Sequence, residues 1–379
     1  MKRTLYVLAL GTFGIGTTEF GVIGILPQIA SAFSITIDKV GWLLSLFALI
    51  VALFGPFIML LLSPFDKKKL MLFVLAVFAV SNIISVFANS FTVLLIARVL
   101  PAFLHPVFWS IALSVAANEL PGNQSSKGVS IVFAGFTMAS VLGVPLATLM
   151  ATLFNWQSSF VLCAVINIIS FIGILLFLPV ILVIKKQTIG SQTKILKKPL
   201  LWISFILSFL MIAAMYSTYG YMADFLGKIT KMNGTEISFM LLIFGLSGIG
   251  GNWLAGKLLS KGILSTIFVF ILSLIVVHIL LYFLGSYYIP MLILIALWGF
   301  VHTAGFLLSN VNLTSSAPES QEFVNSIFTT CGNAAVTFGV FTGGYFISNF
   351  SINTIMLSGI GLLVMALLVL TLKKIIHFD

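Results

Sequence analysis

Gly16-Thr17-Thr18-Glu19-Phe20-Gly21 sets a carboxylate inside an apolar run that extends from Leu5 to Leu26. A run of that length crosses the hydrocarbon core of a bilayer as a helix, and comparable runs recur to the end of the chain. With 60% hydrophobic and 7% charged residues, the chain has too few polar side chains for a soluble globular domain and reads as a polytopic membrane protein. The first run lacks the small-residue cleavage pattern of a secretion signal and is followed at once by another span, so it is expected to stay in the mature protein. The net charge of +10 does not point to nucleic acid, because the basic residues fall in short loops between apolar runs, where they set topology. Cys163 and Cys331 both lie mid-run, which argues against a disulfide framework or a metal site.

Apolar runs bounded by charge, Gly/Pro or Asn clusters predict twelve transmembrane helices and an all-α fold. The first six span 5–26, 40–62, 70–88, 91–117, 129–153 and 160–184; the second six span 200–221, 237–259, 263–284, 289–313, 323–347 and 352–372. Fifteen of the nineteen Lys and Arg residues fall at the termini and in alternate loops, so both termini are expected to be cytoplasmic. The longest polar stretch, 185–199, carries five lysines and no acid. It reads as a cytoplasmic linker between an amino-terminal half, 1–184, and a carboxy-terminal half, 200–379.

The two halves repeat. A displacement of 197 residues aligns Leu61-Leu62-Ser63 with Leu258-Leu259-Ser260, His105 with His302, Pro121 with Pro318 and Gly135 with Gly332. Each half has six spans and begins on the same side, so the repeat is parallel, the layout of a secondary transporter with its site between the halves at mid-membrane.

These residues resemble a known family. The architecture is similar to the major facilitator superfamily, and Gly16 to Gly21 followed by Ile25-Leu26-Pro27-Gln28-Ile29-Ala30 resembles its drug/proton antiporter branch of twelve-span transporters. Within that branch the chain looks most like bacterial exporters of the arabinose-induced, sugar-efflux, chloramphenicol-resistance and purine-efflux type. The resemblance also rests on Ile96-Ala97-Arg98-Val99-Leu100 with His105, on Phe244-Gly245-Leu246-Ser247-Gly248 with Gly251-Asn252, and on Ala317-Pro318. Phe133-Ala134-Gly135 with Val141-Leu142-Gly143-Val144-Pro145 resembles the antiporter motif, whose Gly135, Gly143 and Pro145 would allow close helix approach and a kink favouring export. The loop after the second span departs from the family pattern. Ser63 stands where the family has an aspartate, and Asp66 follows three residues later, so the family's gate has no matched acid here.

Ionisable groups in hydrocarbon are costly and mark function. Glu19, Arg98, His105 and His302 qualify. Glu19 lies about 21 Å along the first span and Arg98 about 10 Å down the fourth from the opposite face, depths that agree in a core about 30 Å thick. A Glu19–Arg98 contact, direct or through water, is therefore expected as the proton-coupling pair. Two readings of it stay open: a carboxylate that alternates between protonated and ionised forms, or a static buried salt bridge. The residue aligned with Glu19 by the repeat is Tyr216, so the acid is not duplicated. His105, His302, Tyr216, Tyr219 and Asn333 are the candidate substrate contacts, with a proton relay or helix packing the other readings of the two histidines and helix packing that of Asn333, and Tyr221 is expected in an interfacial aromatic belt.

No phosphate-binding glycine loop, metal-ligand cluster or nucleophile triad is present in the sequence, which argues against an enzyme. The expected function is a secondary active transporter, a proton-coupled antiporter exporting a drug, purine nucleoside or sugar by alternating access. A proton-independent facilitator or importer with a structural Glu19, or a non-transporting membrane sensor, are the competing readings. The expected partners are a small molecule, protons and the bilayer, with no nucleic acid. No cofactor beyond the proton gradient is expected, and the chain is expected to act as a monomer in a bacterial inner membrane.

Overall fold

A computed structural model describes residues 2–62, 65–119, 125–179, 196–317 and 321–378. Among the described residues all regular structure is helical. Eleven helical segments are long and apolar enough to cross a bilayer. A twelfth helix, Gln321–Asn349, has 29 residues and stands where the eleventh span is expected. Asn325, Thr329, Thr330, Asn333 and Thr337 thin its apolar run, so length rather than hydropathy identifies it. Ser63, Pro121, Pro318 and the 185–195 part of the expected linker lie outside the described residues.

Burial is distributed as lipid requires. Large apolar side chains such as Phe57, Leu61, Trp253, Ile289 and Leu368 face outward, while Asn82, Arg98, Asn167, His278, His302 and Asn312 are buried. With no water in the bilayer core, polar groups find partners only inside the helix packing.

By contacts the chain divides into two compact units, Met1–Ile35 with Trp42–Lys185 and Thr36–Gly41 with Lys186–Asp379. The short helix Ile37–Val40, which the sequence places in the first half, groups with the second unit because it packs against Gln321–Asn349. In the amino-terminal unit the first span packs on the fifth and sixth, and the third on the sixth. In the carboxy-terminal unit the seventh span packs on the eleventh and twelfth, and the eighth on the tenth.

Several spans that read as continuous in sequence are broken. The first runs as Lys2–Phe20, a 3-10 turn Gly21–Ile25, then Leu26–Phe33. Pro27 lacks the N–H that would return to the carbonyl four residues earlier and its ring crowds that carbonyl, so the helix tightens just ahead of it. Pro145 acts likewise in the fifth span, where Ala139–Gly143 forms a π turn between Ser125–Met138 and Val144–Leu153. The fourth span breaks between Phe91–Ala102 and His105–Glu119, beside Pro101 and Pro106. The seventh divides into Pro199–Tyr219 and Met222–Lys228 at Gly220, and the tenth into Tyr288–His302 and Ala304–Thr314. Glu19, His105, Gly143, Tyr219 and His302 all lie within or beside these breaks.

Asp66 has a local role at its loop. It caps the third span, Lys67–Val86, its carboxylate accepting the Lys69 N–H at 2.8 Å.

Candidate functional site

In the amino-terminal unit a polar network forms around the last turn of Lys2–Phe20. The carbonyls of a helix's last turn lack a full set of intrahelical donors. Arg98 supplies them. Its Nη1 donates to the Thr18 carbonyl and its Nη2 to the Glu19 carbonyl at 3.1 Å. The guanidinium carbon also lies 5.4 Å from the Phe47 ring centroid. The Thr18 hydroxyl donates to the Gly14 carbonyl and accepts from Asn82 Nδ2 at 3.1 Å and Asn167 Nδ2 at 3.0 Å. Four spans, the first, third, fourth and sixth, are thereby joined through one helical turn.

The expected pairing of Glu19 with Arg98 takes a different form. Arg98 is committed to backbone oxygen, and the Glu19 carboxylate instead meets His105, with Oε2 and Nε2 3.2 Å apart and each side chain 6% exposed. The two atoms are within ion-pair distance but off the line of a formed hydrogen bond, and among the described residues neither has another partner. The physical reason is the break in the fourth span, which starts a new helix at His105 and lets the imidazole rather than the guanidinium reach the carboxylate. Phe47 packs edge-on against His105 at 5.9 Å.

The antiporter-motif residues act by shape. A Cβ on Gly135 would fall on the Ala9 carbonyl, and one on Gly143 on the Thr17 hydroxyl, so these glycines set the fifth span directly against the first. Pro145 stands at the start of Val144–Leu153. Gly135→Ala is expected to cost about 1–3 kcal/mol, because the new methyl meets backbone that cannot rotate away. Thermal unfolding of the purified variant in detergent measures this, and an unchanged midpoint would contradict the close approach.

The carboxy-terminal unit answers this network with rings. His302, 4% exposed, has the Tyr219, Phe244, Tyr216 and Trp298 centroids at 5.0, 5.2, 6.3 and 6.3 Å. Tyr219 stacks on Phe244 at 5.0 Å and 15°. The structure thus brings together three of the expected substrate contacts, Tyr216, Tyr219 and His302. Asn333 is not joined to them; its amide donates to Thr329 O within its own helix at 3.0 Å. Tyr221 is not an interfacial ring, since it is 1% exposed and donates to the Val340 carbonyl at 3.0 Å.

Sequence reasoning missed Asn82, Asn167, His278 and Trp298. His278 is fully buried in the ninth span, Ile263–Leu284, with its Nε2 3.3 Å from the Thr218 hydroxyl and its ring 6.1 Å from Trp298. The signal that finds it is a mid-span imidazole, the same signal that singles out His105.

The 197-residue displacement extends through both clusters. Phe47 and His105 correspond to Phe244 and His302, and each pair packs at a steep interplanar angle, 77° and 62°. Glu19, against His105, corresponds to Tyr216, against His302. Arg98 corresponds to Ile295, Ser81 to His278 and Pro101 to Trp298.

Among the described residues, eleven candidate spans, the further helix Gln321–Asn349 and buried polar clusters at helix breaks define a polytopic all-α membrane fold. The model of the Major Facilitator Superfamily matches residues 8–339, and the chain belongs to that family. It is 30% identical over 347 residues to the inner membrane transport protein YdhP of Escherichia coli strain K12, covering 91% of this chain and 88% of that protein. It is 29% identical over 341 residues to a probable sugar efflux transporter of Helicobacter pylori strain G27, covering 89% and 87%. Among solved structures, a bacterial homolog to the human lysosomal transporter Spinster, in an inward-facing and occupied conformation, superposes with a TM-score of 0.78 at 16% identity, covering 98% of this chain and 96% of that one. A variant of the nucleoside transporter NupG gives 0.76 at 15% identity, with 98% of each chain covered. The protein is a multi-pass membrane transporter of this family.

Proposed function

We propose that the chain is a proton-coupled antiporter that exports a small molecule by alternating access, with Glu19 and His105 as the group that takes up and releases the proton. The observation that carries this reading is the buried contact of Glu19 Oε2 with His105 Nε2 at 3.2 Å, both atoms otherwise without a partner among the described residues. A carboxylate and an imidazole are both proton-exchanging groups, and gain or loss of a proton by either changes the charge of the cluster at the break in the first span. Arg98 lies beside them, its Nη1 and Nη2 donating to the Thr18 and Glu19 carbonyls.

Export is supported by the antiporter-motif glycines at the contact between the first and fifth spans, and by the name of the Helicobacter relative, a probable sugar efflux transporter. The expected setting is a bacterial inner membrane, as in the name of the Escherichia relative, with both termini cytoplasmic, the 185–199 stretch linking the halves, and the chain acting as a monomer with no cofactor beyond the gradient. The test is flux in proteoliposomes across an imposed pH gradient. Substrate accumulation that rises with the gradient and reverses with its sign is expected. Flux that follows only the substrate gradient would leave the facilitator reading in its place.

A further inference from the structure

The two units hold corresponding positions with opposite chemistry. Where the amino-terminal unit has Glu19, Arg98, Ser81 and Pro101, the carboxy-terminal unit has Tyr216, Ile295, His278 and Trp298. The histidine and its edge-on phenylalanine are kept in both, while the two charged groups of the first unit are replaced by Tyr216 and Ile295 and rings are added at His278 and Trp298.

We infer that the ring cluster of the carboxy-terminal unit, Tyr216, Tyr219, Phe244, Trp298 and His302, is the ligand-recognition surface of the transporter, and that it takes an uncharged ring compound bearing hydrogen-bonding substituents. This rests on the transport reading above and names its substrate class. Three features carry it.

The first is unmet hydrogen bonding. Trp298 Nε1 and His302 Nδ1 are buried and have no partner among the described residues. A buried donor left unpaired is costly, and native structures rarely keep two in one cluster without a use. Trp298 Nε1 donates only, while His302 Nδ1 donates or accepts according to tautomer, so together they suit a ligand with a carbonyl, hydroxyl or ring nitrogen. His278 Nδ1 is also unpaired but is pressed against Gly359, where even a Cβ would stand 2.8 Å from it, so it has no room for a ligand.

The second is shape. Tyr219 and Phe244 are stacked face to face, with His302 set at a steeper angle to both, so a flat ring joins this cluster by extending the stack or meeting its edges.

The third is charge. Aromatic faces also attract cations, but a cation held away from water needs a carboxylate nearby. The acids with described side chains in this unit are Asp38, Asp224 and Glu236, and each is placed elsewhere: Asp38 against Gly344, Asp224 with Lys228 at 3.1 Å, Glu236 in the helix cap of Asn233 and with the Tyr288 hydroxyl. In the amino-terminal unit the one deep carboxylate already faces His105.

The test is equilibrium binding to the full chain in lipid nanodiscs, at one pH and with no gradient, using adenosine and phenyl glucoside as uncharged ring probes and tetraphenylphosphonium as an aromatic cation. Saturable binding of at least one uncharged probe is expected. Trp298→Phe, which removes the N–H and keeps a ring, is expected to weaken it about tenfold, the equivalent of one hydrogen bond. His302→Gln, a milder replacement that serves if the first variant folds poorly by size exclusion, is expected to act in the same direction. Binding of tetraphenylphosphonium more tightly than both uncharged probes, no binding of either uncharged probe, or binding indifferent to both replacements would each overturn the assignment. Because the assay uses no gradient, the proton-coupling reading can fail in flux while this assignment stands, and gradient-driven export of the cation would sink this assignment alone.

Discussion

Glu19→Gln is expected to reduce gradient-driven accumulation in proteoliposomes to the level seen without a gradient, a loss of about tenfold or more. Glutamine has nearly the volume of glutamic acid and imitates its protonated form, so the packing around the break at Gly21–Ile25 is kept while the titration is removed. Counterflow, in which labelled substrate exchanges against unlabelled with no net proton movement, is expected to survive. That split separates coupling from architecture. If the contact with His105 at 3.2 Å served only to tie the first span to the fourth, the variant would lose counterflow and thermal stability together, as removal of one partner from a buried pair does.

The second large effect concerns Arg98. Arg98→Met is expected to destabilise the protein by roughly 2–4 kcal/mol, because two buried carbonyls lose their donor in a setting where no water replaces it. Thermal unfolding of the purified protein in detergent reads this directly. Arg98→Lys is expected to recover only part of the loss, since an ammonium lacks the planar fork that reaches both carbonyls at once. A double replacement decides what the arginine is for. If Arg98 were chiefly the counter-ion of Glu19, Glu19→Gln in the Arg98→Met background would restore stability by removing the unpaired charge. A clamp on the Thr18 and Glu19 carbonyls predicts no restoration, because those oxygens remain without a donor.

Much of this was legible in one dimension. The spans follow from run length, the halves from the 197-residue repeat, and the special standing of Glu19, Arg98, His105 and His302 from the cost of placing such groups in hydrocarbon. Tyr216 also carries over from the repeat, and in the structure it lies against His302 as Glu19 lies against His105. Two readings change. The Glu19 carboxylate meets His105 where Arg98 was expected. Tyr221 turns inward at the Gly220 break, which no belt rule anticipates.

What the sequence by itself determined is that the costly groups lie inside apolar runs and which positions of the two halves correspond, because both are read by counting along the chain. Which partner each group meets was decided only by the tertiary structure. A helix turns about 100° per residue, so the five-residue turn ahead of Pro27 and the two-residue breaks beside Pro101 and Pro106 and at Gly220 re-aim the side chains on either side of them relative to one another. Those rotations gave the Glu19 carboxylate to His105, turned Arg98 onto the carbonyls of the broken helix, and gathered His302 with four rings rather than with an acid.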